Sequence, residues 1–429
     1  MLTKHKVLFL FLRCVVLFAP LTAIPTHALG QSYSKLVFDG KQSETFGSYN
    51  LITAHHVLYG FEDRYLPDTL LRRNTFLKRS VNFSYRLVKL FFLDAQLDGL
   101  IALTQHEVFG HGARFREYGF KKNSFNLNLY PPFGDGSGFA QRGTLQAGLK
   151  WPTYQENIAV NTSGVQAEML LANDLTAEML LNDTLQYRQG LLFLISQNSE
   201  MLYLWMTRLQ SPSKIKPGND MANYISSVNY FYGRGINNLY DIKALSEQSL
   251  ISTANPMQAY AIYSIVYSYL IKGQKGMYRI PMIPLGKKLR YLPAFNFSLT
   301  PFGSQFHFVN YFRYKKMLLS CDIHVGDNRY KDFYGITAKG YNLIDKRWIT
   351  LNVQADFWNQ PRLELEDYAL PSSVNLPGGA IKASVMLRPI KLPHKLGLFI
   401  EAGYKTKGYM DGEYLAETLL LRYGLSLHL

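Results

Sequence analysis

The chain changes its hydrophobic period near residue 290. Between about residues 60 and 275, apolar side chains recur at three- and four-residue spacing, which is typical of helices that bury one side. From Pro293 onward apolar and polar residues alternate, the pattern of strands with one buried face. The segments with helical period are 85–119, 163–182, 184–209 and 255–271.

The C-terminal part predicts about eight β-strands. Ile349, Leu351 and Val353 share one face of the clearest strand, and Thr350 and Asn352 share the other. Strands of about nine to twelve residues are long enough to cross a bilayer at a tilt. The predicted strands are 294–300, 305–314, 319–325, 332–341, 349–357, 381–387, 398–405 and 418–429.

This alternation resembles that of bacterial outer-membrane β-barrels, whose final strand also runs to the last residue; here that residue is Leu429. A bilayer offers no water to an open strand edge, so such a sheet is expected to close on itself. The resemblance implies an outer-membrane location and contact with lipid or lipopolysaccharide. A water-soluble β-sandwich or barrel, with the same apolar residues buried inside, is the alternative.

The first thirty residues predict a cleaved secretory signal. Lys4 and Lys6 precede an apolar run over 7–18 that only Arg13 interrupts, and Ala28 and Gly30 are small residues at a cleavage site. The run is shorter than the roughly 20 residues of a spanning helix, the alternative interpretation. Cleavage would leave Cys321 as the one cysteine, and therefore no internal disulfide.

Composition narrows the class of partner. The 47% hydrophobic content excludes a disordered chain, and 46 Lys and Arg against 31 Asp and Glu give a net charge of +15. That charge favours anionic surfaces such as lipid headgroups, lipopolysaccharide or nucleic acid. Because the sequence has no nucleotide-binding or nucleic-acid-binding motif, we expect no nucleic-acid partner.

The candidate chemistry lies in residues 105–114, which read QHEVFGHGAR. In HExxH zinc sites two histidines four residues apart on a helix face one metal, and the glutamate beside the first activates water. Here His111 follows His106 by five residues, so on a regular helix the two side chains would diverge by roughly 140°. A one-residue bulge at Gly110 would bring them together. Alternatively, Gly110 and Gly112 end the helix and His111 only complements its dipole.

The HExxGH spacing resembles the motif of dipeptidyl peptidase III metallopeptidases. The resemblance implies that His106 and His111 bind zinc and that Glu107 is the general base. In that family a glutamate some fifty residues downstream is the third ligand, and here that position falls on Glu168. Glu178 and Asp174 are the other candidates, and a capping box at Ser163 and Gln166 is expected to open the helix that carries them.

Together these patterns predict an α+β protein. Residues 31–290 would form a mainly helical, zinc-metalloprotease-like domain and residues 291–429 an antiparallel membrane barrel, which gains strands if the preceding region contributes any. The predicted function is an outer-membrane zinc-dependent peptidase or other hydrolase acting on a peptide or protein, with Arg114 or a tyrosine stabilising the oxyanion. The alternatives are a non-enzymatic barrel (channel, adhesin or scaffold) with a structural metal, and a soluble periplasmic metallohydrolase.

Overall fold

A computed structural model shows an α+β protein in which helices cover one face of a large antiparallel sheet. The predicted signal at residues 1–30 lies outside the described residues. The structure describes residues 33–67, 69–71, 75–211, 215, 218–233, 240–328, 331–363, 374–388 and 396–428.

The sheet has ten strands in the order β1-β16-β15-β14-β13-β12-β11-β10-β9-β8. The eight strands predicted from alternation are all present as β9–β16, which confirms that pattern. Two further strands come from the region predicted to be helical. The ten are β1 (Tyr33–Phe38), β8 (Ile283–Pro284), β9 (Leu289–Leu299), β10 (Ser304–Tyr314), β11 (Met317–Asp327), β12 (Asp332–Lys346), β13 (Ile349–Pro361), β14 (Asn375–Leu387), β15 (Leu396–Lys405) and β16 (Thr418–His428).

The predicted closure into a barrel is not found among the described residues. The sheet is open, with β1 and β8 as its two edges. These edge strands have six and two residues, whereas the eight strands between them have ten to fifteen. Short edges have few backbone groups to pair with one another, and no ladder joins them among the described residues.

The apolar face of the sheet points outward. Ile323, Ile381 and Leu421 are 47%, 60% and 63% exposed, whereas Glu401 and Arg422 on the opposite face are 3% and 2% exposed. A water-soluble sandwich would bury the first set and expose the second. The orientation is therefore the reverse of the one that the soluble alternative requires.

The helices agree only in part with the predicted segments. The described helices are α1 (Glu44–Tyr65), α2 (Phe76–Lys89), α3 (Ala95–Thr104), α4 (Gly112–Glu117), α5 (Tyr154–Asn182), α6 (Tyr187–Leu209), α7 (Asp220–Gly233), α8 (Ile242–Ser249) and α9 (Pro256–Tyr263). The described residues also include turns of π-helix at Leu90–Asp94, Gln105–His111 and Ser264–Ile271 and a 3₁₀ turn at Leu250–Ala254. Six short strands lie outside the large sheet in this part of the chain: β2 (Phe120–Lys121), β3 (Ser124–Leu127), β4 (Gly138–Gln141), β5 (Thr144–Leu145), β6 (Thr184–Gln186) and β7 (Gly276–Tyr278).

The start of α5 corrects one prediction. The helix begins nine residues before Ser163, because Thr153 and Glu156 form the capping box there. Ser163 lies inside the helix, where its hydroxyl donates to the carbonyl of Val160 at 2.8 Å. The box predicted at Ser163 and Gln166 was therefore wrong.

Helices and sheet share one hydrophobic core. Leu175 of α5 and Phe193 of α6 belong to the same buried cluster as Leu292, Val309 and Leu318 of the sheet. The helical part is thus built against the strands. Among the described residues, no helix combines the length and apolar character that a membrane crossing needs.

Candidate metal centre

The HExxGH motif lies on a π-helical turn. Residues 76–117 form one continuous helical stretch, α2 to α4, and Gln105–His111 is its second π turn. The extra residue per turn brings the rings of His106 and His111 to a centroid distance of 5.0 Å. This confirms the predicted bulge. The helix runs on to Glu117, so the interpretation of Gly110 and Gly112 as helix-ending caps was wrong.

Gly110 allows a close helix crossing. A Cβ atom at this position would lie 2.6 Å from the carbonyl oxygen of Ser163 and 2.7 Å from Cα of Gly164, both on α5. Gly164 is equally necessary, because a Cβ there would overlap the imidazole of His106. The two glycines let the motif helix and α5 approach until His106 and His111 face α5.

Asp220 completes the group of potential ligands. Its Oδ2 lies 3.3 Å from Nε2 of His111 and 3.6 Å from Nε2 of His106. One ligand atom from each of the three residues lies within 4.8 Å of the others, a separation that a single metal ion can bridge. Asp220 is the first residue of α7, and sequence reasoning did not select it.

Glu168, the predicted third ligand, is placed behind His106. Its Oε2 lies 2.8 Å from Nδ1 of His106, the nitrogen that points away from Asp220. The hydroxyl of Ser199 also donates to this carboxylate. The other two candidates have different partners: Asp174 binds the Ser48 hydroxyl at 2.6 Å, and Glu178 lies 2.9 Å from Nε2 of His56.

Both histidines present the same nitrogen to Asp220. Nδ1 of His111 lies 2.8 Å from the carbonyl oxygen of Val160. A carbonyl can only accept, so Nδ1 carries a proton and Nε2 is the nitrogen that faces Asp220. Glu168 holds Nδ1 of His106 in the corresponding way. A carboxylate or carbonyl behind each imidazole is the usual support of metal-binding histidines.

Charge is balanced within the group. Burial alone would raise the pKa of Asp220, but His111 and His106 outweigh it and hold that pKa well below its usual value. For His106, burial lowers the pKa, and Glu168 and Asp220 more than compensate, so that it lies well above the ordinary histidine value. The centre therefore has an ionised carboxylate facing two imidazoles.

Glu107 lies beside the two histidines and is only 5% exposed. Burial raises its pKa, although the positive charges of His106 and His111 act in the opposite direction. The β3–β4 hairpin covers it, and a Cβ on Gly138 would overlap the Glu107 side chain. The hairpin therefore covers Glu107.

Arg114 is directed elsewhere. Its guanidinium is 1% exposed and lies 3.1 Å from Glu44 and 2.8 Å from Glu117, and it donates to the Glu413 carbonyl at 3.0 Å. It is held in a buried ion-pair cluster that joins α1, α4 and the segment before β16. The tyrosine at the centre is Tyr203, whose hydroxyl accepts the backbone N–H of Asp220 at 3.0 Å.

This arrangement shows a His/Asp group that could bind a metal ion. Two imidazoles and one carboxylate are the donor types of three-ligand catalytic zinc sites, which keep a fourth position for water. Comparisons with protein families, with curated proteins and with solved structures found no match to this chain. The assignment of a chemistry to this site therefore rests on its geometry alone.

Proposed function

We propose that this protein is a zinc-dependent hydrolase of the metallopeptidase type, held in the outer membrane of a Gram-negative bacterium. The observation that carries the proposal is the convergence of His106, His111 and Asp220 on one point beside Glu107. Asp220, rather than Glu168, is the third ligand in this proposal. Glu168 orients His106 from its other nitrogen.

The donor set fits zinc better than the other common metals. Imidazole nitrogen and carboxylate oxygen suit zinc, whereas calcium and magnesium prefer sites made of oxygen alone. Gly164 leaves the space that the His106 ring occupies, and the glycine contact at Gly110 keeps α5 close enough to support both rings. The site thus has both the ligands and their supporting groups.

Each neighbouring residue has a definite task in hydrolysis. A bound zinc ion would lower the pKa of its water toward neutrality. Glu107 would accept the proton of the attacking water and pass it to the leaving amine. The Tyr203 hydroxyl accepts the backbone N–H of Asp220 and also hydrogen-bonds the Asp220 side chain, so it would hold this ligand in place.

The outward apolar face supports a membrane location. The exposed side chains on β9–β16 include Phe308, Ile323, Ile336, Ile400 and Leu421, and they extend across the sheet. A contiguous apolar surface of this kind marks contact with a membrane or a partner. We propose that this surface contacts a bilayer, because the strands are long enough to span it at a tilt. The net charge of +15 also suits anionic headgroups and lipopolysaccharide.

A second candidate is a non-enzymatic envelope protein with a structural metal. Its supporting observation is the burial of the centre: His106 and His111 are 7% and 5% exposed. An ion there would tie the motif helix to α7 through Asp220. Under this alternative Glu107 has no part in turnover, and the two candidates differ in what its substitution does.

The deciding variants are Glu107→Gln and His106→Ala. The full chain in detergent micelles is loaded with zinc and assayed against a quenched-fluorescent peptide library, and metal content is measured in parallel. Glu107→Gln should keep its zinc and lose about 10²–10⁴-fold in rate, the range expected for a general base. His106→Ala should lose both the metal and the activity.

Glu247→Gln provides the matched control, because Glu247 is a half-exposed carboxylate on α8 and should leave zinc and rate unchanged. Full activity in Glu107→Gln would refute the hydrolase proposal. A wild-type protein that holds zinc in the centre but cleaves no peptide in the library would favour the structural metal.

A further inference from the structure

A second His/Asp group lies on the polar face of the sheet, outside the centre described above. His307 of β10 is directly opposite His324 of β11 in the strand register, and Asp322 stands two residues before His324 on the same face. One ligand atom from each of these three residues lies within 4.8 Å of the others. Because side chains two residues apart share a face, the sheet itself brings the group together.

The distances are centred on one carboxylate oxygen. Oδ2 of Asp322 lies 2.8 Å from Nδ1 of His307 and 3.7 Å from Nδ1 of His324. Two imidazole nitrogens therefore approach the same oxygen from neighbouring strands. The rings have a centroid distance of 5.5 Å.

Two polar atoms of this group are buried and lack a hydrogen-bond partner among the described residues. They are Oδ1 of Asp322 and Nδ1 of His324. A buried polar atom without a partner reduces stability by about 1–3 kcal/mol, so such atoms are rare and often indicate a bound ion or water. A metal ion bound by the two histidines and Asp322 would engage Nδ1 of His324 directly.

The surroundings support each ligand. The Ser298 hydroxyl lies 2.8 Å from Nε2 of His307, which leaves Nδ1 as the nitrogen facing Asp322. Gly335 of β12 makes room for the other ring, because a Cβ there would overlap Nε2 of His324. The group also lines a cavity of about 60 Å³ between the sheet and α5, which has room for water to complete a coordination shell.

We infer that His307, Asp322 and His324 form a second binding site for a divalent transition-metal cation, one that cross-links β10 and β11 on the inner face of the sheet. Nitrogen and carboxylate donors select ions such as Zn²⁺ over Ca²⁺ and Mg²⁺. The inference is independent of the proposed hydrolase activity, since the two groups share no residue.

Metal stoichiometry tests the inference. The full chain in detergent is equilibrated with micromolar Zn²⁺, freed of excess metal, and its zinc is counted by plasma mass spectrometry. The wild type should hold two equivalents. His324→Gln and Asp322→Asn should each hold one, and His106→Ala should also hold one, because that variant leaves the sheet site intact.

His56→Gln is the matched control. His56 contacts a carboxylate, Glu178, at 2.9 Å, but it is not part of either His/Asp group, so its variant should keep two equivalents. Ser298→Ala removes only the support behind His307 and should weaken zinc binding at the sheet site about 10–100-fold.

One equivalent in the wild type that His106→Ala loses would overturn the second site, as would two equivalents retained in both Asp322→Asn and His324→Gln. If those two variants fail to fold, His106→Ala decides the matter without altering the sheet. Zinc-free His106→Ala would contradict the inference, and one remaining equivalent would support it.

Discussion

The two nitrogens of each site histidine have different roles. Nε2 of His106 and of His111 faces Asp220, while Nδ1 is held by Glu168 or by the Val160 carbonyl. This division explains why a carboxylate that lies within hydrogen-bond distance of a ligand histidine need not be a ligand. It also makes the roles of Asp220 and Glu168 separable by mutation.

Asp220→Ala should weaken zinc binding more than Glu168→Gln does. The first change removes a proposed ligand, and the second leaves an acceptor behind His106, at a cost of about 10–100-fold in affinity. Chelator competition measures both, in an Asp322→Asn background so that only the helical centre is titrated. A greater loss in Glu168→Gln would make Glu168 the ligand instead.

Glu200 of α6 should make stability depend on pH. Its carboxylate accepts the Leu299 N–H at 3.4 Å and its Oε1 has no partner among the described residues, and burial raises its pKa to about 8. This exceeds the unfolded value of roughly 4.3, so the folded state favours the protonated acid. Its stabilising contribution is complete below about pH 4 and falls as the pH rises toward 8.

Glu200→Gln should therefore remove part of the decrease in unfolding free energy between pH 5 and pH 8, a difference on the order of a few kcal/mol. Denaturant unfolding at pH 5, 6.5 and 8 measures it, with Glu247→Gln as the exposed control. Identical pH profiles for wild type and Glu200→Gln would show that this carboxyl is not the cause.

At the scale of elements, the π turn is the feature that the sequence predicted most usefully. Two histidines five residues apart can share a metal only if the helix gains a residue, and Gln105–His111 gains it. The strands were also predictable, because one apolar face repeats every second residue. In contrast, α1 (Glu44–Tyr65) escaped prediction, since its buried positions include Glu44, Thr53 and His55, which give no apolar stripe.

Gly110→Ala should destabilise the protein and weaken zinc binding. The added methyl meets backbone atoms of Ser163 and Gly164, which cannot rotate away, so α5 and the motif helix must separate. Overpacking of this kind costs about 1–3 kcal/mol. Thermal unfolding and zinc affinity are the measurements.

Gly60→Ala is the control for that substitution. Gly60 is also inside a helix, α1, but a Cβ there would meet nothing within 4 Å. Alanine should therefore stabilise that helix by about 0.5–1 kcal/mol. If Gly110→Ala is as benign as Gly60→Ala, the close crossing is not needed for the centre.

At the scale of the molecule, the sheet exposes its apolar face and buries its polar face, the reverse of a soluble sandwich. Arg422 is 2% exposed and binds Glu401, Glu413 and Asp39 on the helical side, while Leu421 beside it is 63% exposed. The alternation alone could not tell which face is outward, because period two is the same in both cases. Nor could the alternation identify Asp220 as a candidate ligand. Asp220 follows His111 by 109 residues, and only the fold brings the two side chains together.

Ile400→Arg should impair assembly in lipid. Ile400 is 45% exposed near the middle of β15, and an arginine at the midplane of a bilayer costs about 2–4 kcal/mol. Refolding from urea into phosphatidylcholine vesicles, read by migration in unheated SDS gels, measures the folded fraction. Leu285→Arg, at an equally exposed position in the turn between β8 and β9, should have little effect. Equal folding of the two variants would argue against bilayer contact at Ile400.

The most direct test of the metal centre is an anomalous difference map from crystals of the full chain grown with zinc. The account predicts a peak bounded by Nε2 of His106, Nε2 of His111 and the Asp220 carboxylate, about 2.0–2.2 Å from each ligand atom. Zinc-loaded crystals with no peak between these three residues, or with the peak between Glu168 and Nδ1 of His106, would contradict it.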